Sequence, residues 1–274
     1  NPMIKFLGSS NEKEIKDQFP AAFESLLFTI LAVAYVDYRV LPMARKSNIF
    51  RQFTKGSAGP IWATLRSIIE KSPKQGNFIP KLVGLVDSRC KISIDSAIQA
   101  INDHKHHRIS KYQGYREVLA HLGNALNTSL EGWRFGQFED VKKKGFSSTY
   151  SGLFRAAHGA HRPFVDIFKY QGSESFSSIE VVLAAPESGL IFRLTPMMFW
   201  SDFHSRGDLT IGVLDSISQT TSDYREIEGG GAISVDAESE LAELHSLCLE
   251  AQKSDYQESC LPSGQIQLTP YTMK

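Results

Sequence analysis

One stretch of this 274-residue chain sets reactive side chains at a spacing with chemical meaning. It is Gly114 to Gly123 (GYREVLAHLG), which carries Arg116 and His121 inside an apolar, helix-forming run. Histidine titrates near neutrality and suits general acid–base work. Arginine keeps its charge and offers paired donors to phosphate oxygens. At 3.6 residues per turn, five positions separate the two by about 140° around an ideal helix, so the pair would flank a cleft rather than touch. The competing reading is structural: Arg116 pairs with Glu117 or Asp103, and His121 is a satisfied core or interface histidine.

A second polar cluster lies just upstream, Asp103-His104-Lys105-His106-His107-Arg108. His104 and His107 are three apart and would share a helix face, where Asp103 could complete a metal set. No HExxH or cysteine partner accompanies them, so no metal is assigned. Their nearness to Arg116 makes His104, His107 and Arg108 candidates for contacts to RNA phosphate or another anion. His158-Gly159-Ala160-His161-Arg162 reads as a loop, or as a hinge with an anion contact. Gly229-Gly230-Gly231 lacks the strand, helix and lysine context of a phosphate loop and reads as a flexible turn. Trp62, Trp133 and Trp200 read as core or interface anchors. No Ser/His/Asp elbow or carboxylate pair is legible, and no cofactor is implied.

The elements that must position these residues are set out by periodicity. Asn11–Asp17 reads as a short leading helix. Pro20 then suits the first turn of a helix running to about Val40, with Phe23, Leu26, Leu27, Ile30, Leu31, Ala34 and Tyr35 at three- and four-residue spacing. Its most apolar run, Ser25–Val36, has 12 residues. A membrane span needs about 20, so it reads as a buried core helix. Ala44–Thr54 is basic and reads as a short helix or loop. Pro60 opens another helix with Trp62, Leu65, Ile68 and Ile69 on one face. Pro80–Val86 and Ile92–Ile101 read as helical pieces, and Tyr112 to about Trp133 as the second long helix.

Phe135–Gly145 is mixed, and Ser148–Ala157 reads as one more helix. The pattern then changes. Short β-branched or aromatic runs at Pro163–Tyr170, Ile179–Ala184, Leu190–Leu194, Met197–Trp200, Leu209–Leu214 and Tyr224–Ile227, separated by turn residues, predict a strand series that Gly229–Gly231 ends. Ala237–Lys253 reads as a helix and Ser254–Lys274 as a tail or linker. Helices first, strands next and a helix last predict an α+β chain. Its parts would be a helical domain over 1–162, an antiparallel β domain over 163–236, and a helix with tail over 237–274.

Charge obeys the same division. The net charge is zero, yet residues 1–162 hold 24 Lys and Arg against 13 Asp and Glu, a net of +11, while residues 163–274 hold 6 against 17, a net of −11. The basic half suggests an anionic partner, or the two halves attract each other. Three cysteines with no CxxC spacing fit a reducing, cytoplasmic setting.

With these residues in view, the helical half resembles the HEPN superfamily (higher eukaryotes and prokaryotes nucleotide-binding). The matching features are Phe23–Asp37, Ser57-Ala58-Gly59 before Trp62 and Leu65, and Tyr115-Arg116 with His121. The strand half, with Phe192–Met197, Leu209–Leu214 and Tyr224, resembles the β half of such modules in bacterial signalling and antiphage defence proteins. In HEPN ribonucleases the motif runs from an arginine, through a neighbouring Asn, Asp or His, to a histidine; here Glu117 stands after Arg116. The resemblance implies a helical bundle that forms a homodimer, without a membrane. Its function would be that of a sensor module with an RNA or nucleotide ligand and a further effector domain or protein partner. The alternative it implies is a metal-independent ribonuclease, Arg116 on the phosphate and His121 as general acid–base, with the site formed across the dimer.

Overall fold

The computed structural model describes residues 6–8, 11–39, 56–72, 76–108, 112–157, 166–201, 210–227, 231–253 and 267–270. The fold is mixed α+β, helices and then antiparallel sheets. It divides into two compact units, Asn1–Ser129 and Leu130–Lys274. That division falls well before the boundary at residue 162 that composition suggested.

The helical unit is built on α1 (Glu12–Arg39), around which α2 (Ala58–Lys71), α3 (Ile79–Leu82), α4 (Ser88–Lys105) and α5 (Tyr115–Ser129) gather. From Ile30 to Arg39 every residue of α1 is buried. It is the one helix among the described residues long and apolar enough to cross a membrane, but 78% of its most apolar window is buried inside the protein. Two acids on α1 explain how an all-round apolar helix organises its neighbours. Glu24 accepts the Ala58 amide (3.3 Å) at the start of α2 and the Lys105 ammonium (3.0 Å) at the end of α4. Asp37 accepts the amides of Asn77, Phe78 and Ile79 at 2.8, 3.0 and 3.1 Å. Those are orphan donors at the start of α3, and a buried carboxylate satisfies them.

Pro20 sits inside α1 rather than in its first turn. The leading segment and the core helix are therefore one element. A proline there removes the bond to the Lys16 carbonyl and costs about 3 kcal/mol. Phe19, Ala22 and Phe23, all buried around it, offset that cost.

The sheet unit starts earlier than the pattern predicted. Phe135–Gly145 and Ser148–Ala157 form strands β1 (Arg134–Lys143) and β2 (Tyr150–Ala156), so the helix expected at Ser148–Ala157 is corrected. Phe154 and Ala156 are buried at a period of two, together with Phe138 on β1. The series continues with β3 (Asp166–Gly172), β4 (Val182–Ala185), β5 (Leu190–Arg193), β6 (Met198–Ser201), β7 (Thr210–Ile217) and β8 (Thr221–Glu226). Gly229–Gly231 does not end the strands, because β9 (Ala232–Asp236) comes after it and pairs with β8. Helix α6 (Ala242–Lys253) is next, and the expected tail contributes β10 (Gln267–Pro270), paired with β3. One sheet has the order β10-β3-β2-β1-β4-β5, the other β6-β7-β8-β9, both antiparallel. Phe138, Phe154, Tyr170 and Phe176 form the core on one face of the larger sheet.

Candidate functional site

Helix α4 ends in a turn that decides where the polar cluster goes. The His107 amide bonds the His104 carbonyl and the Arg108 amide bonds the Asp103 carbonyl, with His107 in the left-handed region (φ 55°). This is a Schellman closure, with histidine where glycine is usual. The helix stops at Lys105, so His104 and His107 do not share a helical face. Instead the turn folds Arg108 back beside His104.

His104 and Arg108 line a cleft of about 220 Å³ together with Lys16 from α1. Its apolar wall is Phe19, Pro20, Ala100, Ile101 and Tyr115. The wall is stiff, since Phe19 and Tyr115 meet edge to face at 4.8 Å and Tyr115 meets Tyr112 likewise at 5.0 Å. Two acids temper the cations. Glu12 pairs with Lys16 at 2.6 Å, and Asp17 stands 3.8 Å from the His104 Nε2. The hydrogen bond and charge of Glu12 hold the Lys16 ammonium above its ordinary range, and Lys16 in turn holds the Glu12 carboxyl below its own. An anion with one flat apolar face fits this arrangement: cations grip the charge, and the aromatic wall takes the ring.

Arg116 and His121 are both exposed on α5, while Tyr115, Val118, Leu119 and Leu122 of the same helix are buried. The Arg116 guanidinium lies 5.7 Å from the centre of the Phe6 ring. Asp103, the partner considered for Arg116, accepts a hydrogen bond from Gln99 (2.9 Å). Arg116, His121 and His107 do not line the Lys16 cleft. Among the described residues no group of three His, Cys, Asp or Glu has a metal-holding arrangement. The basic segment Ala44–Thr54 and the motif at residues 158–162 lie outside the described residues.

Two groupings are not legible in the sequence. Reading Pro20 as a helix start hides Lys16; once α1 is continuous, Lys16 stands one turn before Pro20, on the same face. The other grouping is buried. Ser222 Oγ meets His245 Nδ1 at 2.8 Å, and the Tyr224 hydroxyl donates to the Pro196 carbonyl (2.9 Å) and contacts the Cys248 Sγ at 3.1 Å. Burial pushes the Tyr224 hydroxyl well up and the Cys248 thiol up, so both stay protonated. Four such side chains inside the protein join α6 to β8; they do not face a substrate.

No protein-family model, no curated protein and no solved structure matches this chain.

Proposed function

We propose that the chain is a HEPN-like, dimerising sensor module of a bacterial signalling or antiphage defence protein, working in the cytoplasm. Its helical unit receives the phosphate of an RNA or nucleotide in the Lys16 cleft and relays that event to an effector domain or protein partner. The observation that carries the reading is the Schellman turn that delivers Arg108 to His104 and Lys16 against an aromatic wall. The charge of the unit supports it: residues 1–129 hold 18 Lys and Arg against 10 Asp and Glu, a net of +8. Binding is favoured over cleavage because Glu117 follows Arg116, where the ribonuclease motif carries Asn, Asp or His.

The test is equilibrium binding of a labelled short RNA and of ADP, with RNA integrity monitored in EDTA in the same samples. Arg108→Ala and Lys16→Ala are expected to weaken binding about ten-fold each, the loss of one charge-assisted contact, and His121→Ala to leave it unchanged. Cleavage by wild type that His121→Ala abolishes would replace this reading with the ribonuclease. Light scattering checks the dimer; a strict monomer sinks that part.

A further inference from the structure

We infer that the sheet unit carries a separate binding site for an organic cation, a guanidinium or ammonium on an apolar stem. The site is a cleft of about 740 Å³ reached by strands from both sheets and by the turn before α6. Asp140 and Glu240 supply its net charge, Glu139 being paired with Arg155, and Ile179, Ile233 and Leu241 supply its half-buried apolar walls. Among the described residues that line it none is basic.

Local backbone geometry gathers the acids. Successive side chains of a regular strand point to opposite faces, so Glu139 and Asp140 should part. The pairing of β1 with β2 slips between Glu139 and Lys142, and Asp140 has a φ of 52°. With this bulge both residues border one cleft, and Asp140 also borders the neighbouring hollow lined by Lys142 and Lys169. A left-handed backbone at a residue other than glycine is strained, and such strain gathers at functional sites.

Gln137 adds an independent observation. It lines the same cleft, is 3% exposed, and donates from Nε2 to Glu139 Oε1 at 2.9 Å. Its Oε1 is buried without a hydrogen-bond partner among the described residues. A buried acceptor without a donor is destabilising, and an N–H-bearing ligand supplies the missing donor. Glu139 is oriented by Arg155 Nε at 2.7 Å, whereas Asp140 and Glu240 are exposed to the cleft's opening. Residues 130–274 hold 12 Lys and Arg against 20 Asp and Glu, a net of −8, which draws cations toward the unit.

Two sources present this chemistry: a free alkylguanidine or polyamine, and an arginine or lysine side chain on a peptide. Calorimetry on the full chain with agmatine, spermidine and N-acetyl-arginine methylamide tests the site, with neutral n-butylurea as control. At least one cation is expected to bind, at least ten-fold tighter than butylurea, and more weakly as salt rises. The double variant Asp140→Asn, Glu240→Gln is expected to lose at least ten-fold. Asp140→Gly relieves the backbone strain without restoring charge, and is expected to lose affinity while its thermal stability rises. A tighter arginine diamide assigns the site to a peptide; tighter agmatine or spermidine assigns it to a free cation. Equal binding of the cations to wild type and to a folded double variant overturns the inference. Arg108→Ala leaves this binding unchanged, which separates it from the anion cleft.

Discussion

Asp37 in the helical unit and Glu180 in the sheet unit are both acids withdrawn from water, and they keep different company. Asp37 meets backbone, three amides at the start of α3. Glu180 meets a side chain: Arg193 Nε lies 2.8 Å away, while the same guanidinium reaches Glu174 at 2.7 Å, the Ser175 carbonyl at 2.8 Å and the face of Phe176 at 4.4 Å. In the helical unit, then, charge closes helix ends. In the sheet unit it ties a loop to a strand. A backbone donor is fixed in place by its helix, whereas Arg193 carries a permanent charge on a side chain, and the carboxyl it meets is the group that responds to pH.

The largest effect should come from the fixed partnership. Asp37→Ala strands three backbone amides, two of them buried, and is expected to cost about 3 kcal/mol or more. Asp37→Asn keeps one acceptor oxygen and should cost about half as much. Gly76→Ala belongs with them, because Gly76 sits at φ 106° and an added Cβ would collide with the Asp37 carboxylate. Urea unfolding monitored by far-ultraviolet circular dichroism measures all three. A loss under about 1 kcal/mol for Asp37→Ala would mean that water serves those amides as well as the acid does, and the contrast between the units would fail.

Next comes the titrating partnership. Arg193→Ala leaves Glu174 and Glu180 without their shared cation and is expected to cost about 2–4 kcal/mol, somewhat less than a fully buried pair because Arg193 is partly exposed. Burial raises the Glu180 carboxyl above 4.5 despite the opposing pull of Arg193. That direction sets the sign. A folded-state value above the unfolded one means that the favourable contribution is complete below pH 4.5 and fades as pH climbs through the folded value. Glu180→Gln removes that fade. Relative to wild type it should therefore be least favourable near pH 4 and improve toward pH 7, as chemical unfolding across that range would record. A flat difference would show that Glu180 does not carry the pH response. Smaller again is Ser222→Ala, which leaves the buried His245 Nδ1 without its hydroxyl and should lower stability by about 1–2 kcal/mol.

The same contrast explains what can be read from sequence. The long apolar run Ser25–Val36 and the Trp62, Leu65, Ile68, Ile69 face declare their helices because a helix buries a periodic stripe of its own sequence. Strands are less self-sufficient. Ser148–Ala157 reads as helical because Gly152 and Ala156 blur a two-residue alternation that only the pairing of β2 with β1 and β3 makes plain. Gln267–Pro270 carries no apolar pattern, since this four-residue edge strand offers only Leu268 to the core of the larger sheet. The cleft residues divide likewise. His104 and Arg108 are visible as a local cluster, while Lys16 lies far away in the chain. The acids of the sheet cleft come from β1, the turn before α6 and a bulge, none of which leaves a motif.

The smallest effect tests the turn on which the anion cleft depends. His107 holds a left-handed conformation at the residue after the α4 cap, a position where glycine avoids the steric cost of a Cβ. His107→Gly is expected to stabilise the helical unit by about 0.5–1 kcal/mol, the left-handed penalty offset in part by the greater freedom glycine has when unfolded. Because the turn's two closing bonds run through backbone, Arg108 should stay beside His104 and anion binding should be unchanged. His107→Val, whose branched side chain resists the left-handed region, should destabilise the unit and weaken binding together. If glycine stabilised the unit but abolished binding, His107 itself would be a contact to the anion, and the cleft would extend past Arg108.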